Sequence, residues 1–478
     1  MISPKLKLTS QPDWITLRER AISYARANME TPPGCRPQLT CIPNLGRIWQ
    51  WDSCLMALYA GYTPDHLDGL GNLDNLYSFQ REDGFIGMAY DIDTKQNLWG
   101  ERINPPLYAW VEWLYARRTG DTSRLERAWG PMTRLHAWIR ANRRRPNGLY
   151  WFEDTGSSGM DNSPRSGYAA YDLHGSDVCF VDLSCQQVLA ARCLAKIGRL
   201  IGRDAEADAF DAEADELADL INKIQWCDKT GFYHDVFVST NNKLANKTAA
   251  AFWAIVSGVA TGEKLDALCT HLRNPETFGT RHPVPTLSRD DPNYRPDGGY
   301  WLGGVWAPIN YMVVSGLRAA GRRDLAREIA ARHLDCMAEL LGSGEYDTIW
   351  ECYSPDYPEP AHDKAGELVR RDFVGFGATG PLLMLPEDIL GLDIDALSRR
   401  IDWYLGETGL QGMSDLPFNG GAVDLELDVT DDFSFKGLIR SDTPLTLNIF
   451  TPDARHDAQF EIAGGPECVV ITSLHGNR

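Results

Sequence analysis

The stretch Asp177–Gly202, "DVCFVDLSCQQVLAARCLAKIGRLIG", runs almost directly into Asp204–Ile224, "DAEADAFDAEADELADLINKI". Both carry apolar residues three and four positions apart, the spacing of an α-helix. The first is apolar on nearly every face. The second has one apolar stripe and a densely acidic remainder. A helix apolar all round belongs in an interior, and one with a single stripe belongs at a surface. The pair therefore predicts an inner helix and, folded back against it, an outer one.

The alternation extends along the chain. "PLYAWVEWLYARRTG" (Pro106–Gly120) opens on proline and closes on glycine, as helices do. "PINYMVVSGLRAAG" (Pro308–Gly321) and "RDLAREIAARHLDCMAELLG" (Arg323–Gly342) form another pair. Counted this way, about twelve helices, mostly in antiparallel pairs, fill the chain to about Leu390. The expected class is mainly α, with two concentric rings of helices. Beyond Leu390, "AVDLELDV" (Ala422–Val429), "PLTLNIF" (Pro444–Phe450) and "CVVITSL" (Cys468–Leu474) alternate or run apolar with β-branched residues, and turn formers separate them. The expected division is a helical domain over residues 1–400 and a small antiparallel β module over residues 410–478.

Of the 478 residues, 43% are hydrophobic and 24% charged, an ordinary globular balance. The formal net charge of -19 repels phosphate backbones and excludes nucleic acid as an expected partner. The basic run Arg143–Arg145 reads as the solvated end of a helix. The eleven cysteines form no C-x-x-C pair, and their spacing suggests no zinc site. Neither a metal nor a cofactor is expected. The N-terminal "MISPKLKLTSQPDW" lacks the apolar core of a signal peptide, and no apolar run is long enough to span a membrane. The expectation is a soluble, cytoplasmic protein.

Fifteen tryptophans, 18 tyrosines and 16 phenylalanines are present. Such rings serve equally for core packing and as stacking floors for sugars. Four stretches combine them with polar groups. "WQWDSCLMALYAGY" (Trp49–Tyr62) sets Trp49, Gln50 and Trp51 just before Asp52. Asp52 can cap the helix starting there, or it can accept hydrogen bonds from adjacent sugar hydroxyls while a tryptophan stacks on the ring. "NPPLYAW" (Asn104–Trp110) is a rigid loop-to-helix junction, or one that turns Asn104 or Tyr108 towards a pocket. "SSGMDNSPR" (Ser157–Arg165) places Asp161, Asn162 and Arg165 on a turn-rich loop. "GGYWLGGVWAPINY" (Gly298–Tyr311) offers Tyr300, Trp301 and Trp306 among glycines that allow close backbone approach. In "TIWECYSPD" (Thr348–Asp356), Glu351 sits beside aromatic and apolar neighbours, the setting of a tuned carboxylate or of an ion pair with Arg295 or Arg371. Hydrolysis of a glycosidic bond needs two carboxyl groups, one to protonate the leaving oxygen and one to attack or to activate water. Asp161 and Glu351 are both loop carboxylates among aromatics.

In this order, "WQWDSCLMAL", "NPPLYAW", "SGMDNSPR", "GGYWLGGVWAPINY" and "WECYSPD" resemble glycoside hydrolase family 63 and its relatives, over roughly Trp49 to Phe376. Those relatives include α-glucosidases, mannosylglycerate and glucosylglycerate hydrolases and, more distantly, trehalases. The resemblance implies an (α/α)6 barrel and inversion at the anomeric carbon. It implies Asp161 as general acid and Glu351 as general base. Trp51 and Asp52 would hold the glycone, Trp306 would line the same subsite, and Arg165 would orient the leaving group. The chain departs from larger family members in having only Met1–Asp13 before its first helix, and in carrying its β module at the C-terminal end. The expected function is an inverting exo-acting α-glycosidase acting on a short α-linked oligosaccharide or glycoside, an α-glucoside, α-mannoside or glycosyl glycerate. A phosphorylase on the same toroid would need a phosphate site in place of Glu351. A lyase would need a cationic groove, which the acidic chain disfavours. A carbohydrate-binding protein without catalysis would have no need of both carboxylates.

Overall fold

The computed structural model describes residues 4–43, 45–63, 67, 69–165 and 177–473. Within these the helices are α1 (Pro12–Ala27), α2 (Gln50–Ala57), α3 (Leu70–Ser78), α4 (Tyr108–Thr119), α5 (Leu125–Asn142), α6 (Val181–Leu200), α7 (Asp204–Ile224), α8 (Trp253–Val256), α9 (Gly262–Arg273), α10 (Ala307–Ala319), α11 (Arg323–Gly342) and α12 (Gly380–Ile389). The opening pair folds as read. Of the 20 residues of α6, 16 are buried, against 5 of the 21 in α7, and the two helices pack along each other. The even-numbered helices contact one another in succession, α2 to α4, α4 to α6, α6 to α8, α8 to α10 and α10 to α12. Of the helices between them, α7 packs along α6 and α11 along α10.

Helix α12 is wound more widely than an ordinary α-helix. Pro386 cannot donate the backbone hydrogen bond that a normal turn requires there. Further on, the Leu390 N–H reaches back five residues to the Leu385 carbonyl, at 2.8 Å, where an α-helix would reach four. All ten residues of α12 are buried, so neighbouring helices hold the irregular turn in place.

The chain ends in two sheets. The strands are β1 (Lys5–Leu8), β2 (Leu392–Asp395), β3 (Arg400–Tyr404), β4 (Gly409–Phe418), β5 (Gly421–Val429), β6 (Phe435–Ser441), β7 (Leu445–Phe450), β8 (Ala458–Ile462) and β9 (Gly465–Thr472). One sheet has the order β1-β4-β5-β6-β9, the other β2-β3-β7-β8. The three β stretches read from the sequence correspond to β5, β7 and β9, although Leu474 lies outside the described residues. Two features differ from the expectation. Strands begin at Leu392, ahead of residue 410. Pairing is also not wholly antiparallel: β3 and β7 run parallel, with Ile401 opposite Leu447. The segment before the first helix contributes β1, which pairs antiparallel with β4, Lys5 opposite Ser414. Only four residues long and paired some four hundred positions away, β1 leaves no local signature.

Candidate active site

A cavity of about 450 Å³ opens where the segments leading into α2, α4, α10 and α12 converge. Asp52, Asp161 and Glu351 all face it, with Trp49, Trp51, Asn104, Tyr300, Trp301 and Trp306. Nine of the twelve site residues expected from the sequence therefore line one space.

Three tryptophans form one wall. Trp301 and Trp306 stack at 4.1 Å between ring centroids, 12° from parallel, and Trp51 lies against Trp301 at 6.2 Å. Gly159 lets the acid-bearing loop press on that wall, because a Cβ there would lie 2.0 Å from the Trp51 ring. The loop itself is tightly knit. Met160 N–H donates to the Thr155 carbonyl at 3.0 Å, and Ser163 N–H to the Met160 carbonyl at 3.0 Å. Asn104 Nδ2 donates to the Ser157 carbonyl at 3.1 Å, tying the loop to the start of α4. Tyr300 takes a left-handed backbone, φ +67°, directly after Gly298 and Gly299, also at positive φ. That conformation is unfavourable for a tyrosine, and such strain gathers where a side chain must be aimed.

Glu351 accepts a hydrogen bond from the Tyr300 hydroxyl at 3.0 Å, and the Arg370 guanidinium lies 3.5 Å from the same oxygen. Burial pushes the Glu351 carboxyl above its ordinary range and the Asp161 charge adds to this, while Arg370 and Tyr300 oppose it. Burial likewise raises Asp161, helped by Asp154 and opposed by Lys364 and Arg370. Asp52 is raised by burial and by Asp161, against the Cys41 thiol and Arg370. Three carboxyls that resist ionisation thus share one space with an aromatic wall. That is a site for proton transfer on a molecule with both a flat hydrophobic face and hydroxyl groups.

Three expected residues do not line the cavity. Gln50 is fully buried behind it, its Oε1 accepting the Asn104 N–H at 3.0 Å. Asn162 braces the two loops, donating to the Gly299 carbonyl at 3.0 Å and accepting from Trp301 N–H at 2.9 Å. Arg165, expected to orient a leaving group, is fully buried between Asp182 and Asp235 with contacts of 2.6–3.0 Å to both. Its charge is needed there, since two buried carboxylates without it would be uncompensated. Tyr108 also turns inward, packing on Tyr77. The ion partner of Glu351 is Arg370 and not Arg295 or Arg371, which pair with Asp297 and with Asp347 and Asp372. Sequence reading missed Cys41, Arg370, Phe373 and Phe376 on the cavity wall. The aromatic and glycine spacing of "FVGFG" (Phe373–Gly377) carried a signal for the last two. Nothing local marked Cys41 or Arg370.

The site and the helical fold define a carbohydrate-active hydrolase. The mannosylglycerate hydrolase MGH1-like glycoside hydrolase domain model matches residues 46–367, and the chain belongs to that family. It is 25% identical over 364 residues to a mannosylglycerate hydrolase of Rubrobacter radiotolerans, covering 58% of this chain and 80% of that one. It resembles the structure of a family 63 mannosylglycerate hydrolase from Thermus thermophilus in complex with glucose. There the TM-score is 0.63 at 21% identity, over 77% of this chain and 99% of that one. A family 78 rhamnosidase of Bacillus sp. GL1 has a TM-score of 0.71 at 18% identity, over 95% of this chain and 43% of the other. The protein is a glycoside hydrolase. No helix among the described residues is long and apolar enough to cross a membrane.

Proposed function

We propose that the protein is an inverting, exo-acting α-glycosidase on a short α-linked glycoside, with Asp161 as general acid and Glu351 as general base. One observation carries this reading: two buried carboxyls with raised proton affinity face a single tryptophan-walled cavity from different loops. Inversion requires one group to hold a proton and the other to be ionised at the same pH. Tyr300 donates a hydrogen bond to Glu351 and Arg370 pairs with it, both stabilising its ionised form, as a base needs. Asp161 is held towards its protonated form by burial, with Asp154 adding to this and Lys364 and Arg370 opposing it. Asp52 and Trp51, at the start of α2, would hold the glycone.

The succession of contacts among α2, α4, α6, α8, α10 and α12 supports an (α/α)6 toroid with those helices as its inner ring. The domain division proposed is that toroid, up to about residue 390, and the β module after it, from Leu392, which also takes in β1. Arg47 and Arg370 line the cavity and Lys364 interacts with Asp161. Positive charge at that position suits an aglycone bearing a carboxylate, so a glycosyl glycerate is the favoured substrate, ahead of a neutral disaccharide.

Hydrolysis of α-glucosyl and α-mannosyl glycerates and of α-linked disaccharides, followed by proton NMR of the first anomer released, tests the reading. Release of the β-anomer from an α-linked substrate is the expected result. Release of the α-anomer would remove Glu351 from its role as base.

A further inference from the structure

Cys41 lies on the cavity wall beside Asp52. Its Sγ is 3.0 Å from Asp52 Oδ1 and donates to it. The residue is fixed on several sides. Its carbonyl accepts from the Val374 and Gly375 N–H groups at 3.2 and 3.3 Å, and from Asn28 Nδ2 at 3.2 Å. Gly375 sits so close that a Cβ there would be 2.4 Å from Sγ. The thiol is thus confined between the Phe373–Phe376 segment, itself part of the cavity wall, and the first turn of α2.

We propose that Cys41 is a positioning residue that aims Asp52: its thiol occupies Oδ1 and leaves Oδ2 as the oxygen that receives a hydroxyl of the sugar. The proposal rests on the reading of Asp52 as the residue that holds the glycone. It narrows that reading, because an aspartate with both oxygens open could bridge two adjacent hydroxyls, whereas this one is turned towards one. A thiol can do this only while it keeps its proton, since a thiolate beside a carboxylate would repel it. Burial and the charge on Asp52 hold the Cys41 thiol protonated, well above the ordinary range for cysteine. The same shielding makes it a poor nucleophile, so a structural donor is the role left to it.

Two measurements decide the matter. The first is the infrared S–H stretch of Cys41, isolated as the band lost in Cys41→Ser. It should lie at lower frequency than the other buried thiols and relax upward in Asp52→Asn; an unshifted band overturns the proposal. This readout needs no turnover, so it stands even if the wild type hydrolyses nothing on the panel, a result that would sink the glycosidase reading instead. The second is steady-state kinetics. Cys41→Ala should lower kcat/KM roughly threefold to tenfold, the worth of one hydrogen bond in a site. Cys41→Ser, which restores a donor, should recover most of that loss. Equal impairment of both variants, or none in the alanine variant, overturns the proposal.

Discussion

The two ends of the inner helices hold buried carboxylates in opposite circumstances. At the ends where the helices begin, Asp52, Asp161 and Glu351 face a cavity, and burial raises all three. At the ends where the helices finish, Glu387 and Asp388 of α12 and Asp393 of β2 meet a cluster of arginines. Arg118 and Arg318 grip Glu387 at 2.6 Å each, and Tyr311 donates to it at 3.0 Å. Arg117 and Arg323 bind Asp393 at 2.8 and 2.5 Å. Burial acts on these groups too, but at Glu387 and Asp393 the arginines outweigh it, so Glu387 is lowered and Asp393 falls to about 2. Asp388, gripped by Arg318 and adjacent to the Glu387 charge, rises to about 6. Depth alone does not set the outcome: Glu387 and Asp393, each held by two arginines, are lowered, whereas Asp388, paired with Arg318 and beside the Glu387 charge, rises as the cavity carboxyls do. The paired end fastens α4, α10 and α12 to the first strand of the β module, and the cations there also suit the helix C-termini.

The comparison breaks most visibly by neutralising the cavity carboxyls. Asp161→Asn and Glu351→Gln should each lower kcat by ~10²–10⁴, with folded structure retained. Circular dichroism would verify the fold, and stopped assays with each substrate would measure the rate. A fall of less than about tenfold in either variant would remove that residue from the chemistry. Arg318→Ala attacks the other end and leaves Glu387 and Asp388 without a shared partner. The expected cost is about 3–5 kcal/mol in urea unfolding, with kcat per folded molecule unchanged. If kcat collapsed while stability held, the two ends would be coupled and the contrast drawn above would be wrong.

How much of this was legible in the sequence follows the same contrast. The inner–outer alternation was readable because helix burial is written locally, at three- and four-residue spacing, as in α6 and α7. The cavity residues were readable because tryptophans, glycines and carboxylates crowd short segments such as Gly298–Tyr311. Arg165 was misread because its adjacency to Asp161 in sequence says nothing of Asp182 and Asp235, which claim it in space. The arginine cluster at the far end was invisible for the same reason, since Arg118, Arg318 and Glu387 come from three separate helices. Long-range charge pairing, like the seat of β1, has no period to detect.

Tyr300→Phe sharpens the contrast with a smaller effect. The hydroxyl that stabilises ionised Glu351 is lost, so the carboxyl should ionise at higher pH. If Glu351 is the base, the acidic limb of the pH–rate profile moves upward, the alkaline limb set by Asp161 stays, and the rate at neutral pH drops severalfold. Movement of the alkaline limb instead would exchange the roles of the two carboxyls.

The smallest effect expected is a gain. Asp161 has a folded-state pKa above its unfolded value, so between the two the folded protein binds the extra proton. Stability from this group is therefore present at low pH and is lost as pH rises through the folded pKa. Above that folded pKa the native enzyme carries a buried charge that unfolding would relieve. Asp161→Asn removes that penalty and should melt above the wild type on the alkaline side of the folded pKa, with the difference shrinking as pH falls and the wild-type carboxyl takes up its proton. Arg318→Ala should lose stability under the same conditions, because Glu387, held ionised there, loses one of its two guanidinium partners. Scanning calorimetry at several pH values would show both. A melting temperature for Asp161→Asn that is lower than wild type on the alkaline side of the Asp161 pKa would mean that the carboxylate is held as firmly as those at the far end. The distinction between the two ends would then rest on position alone.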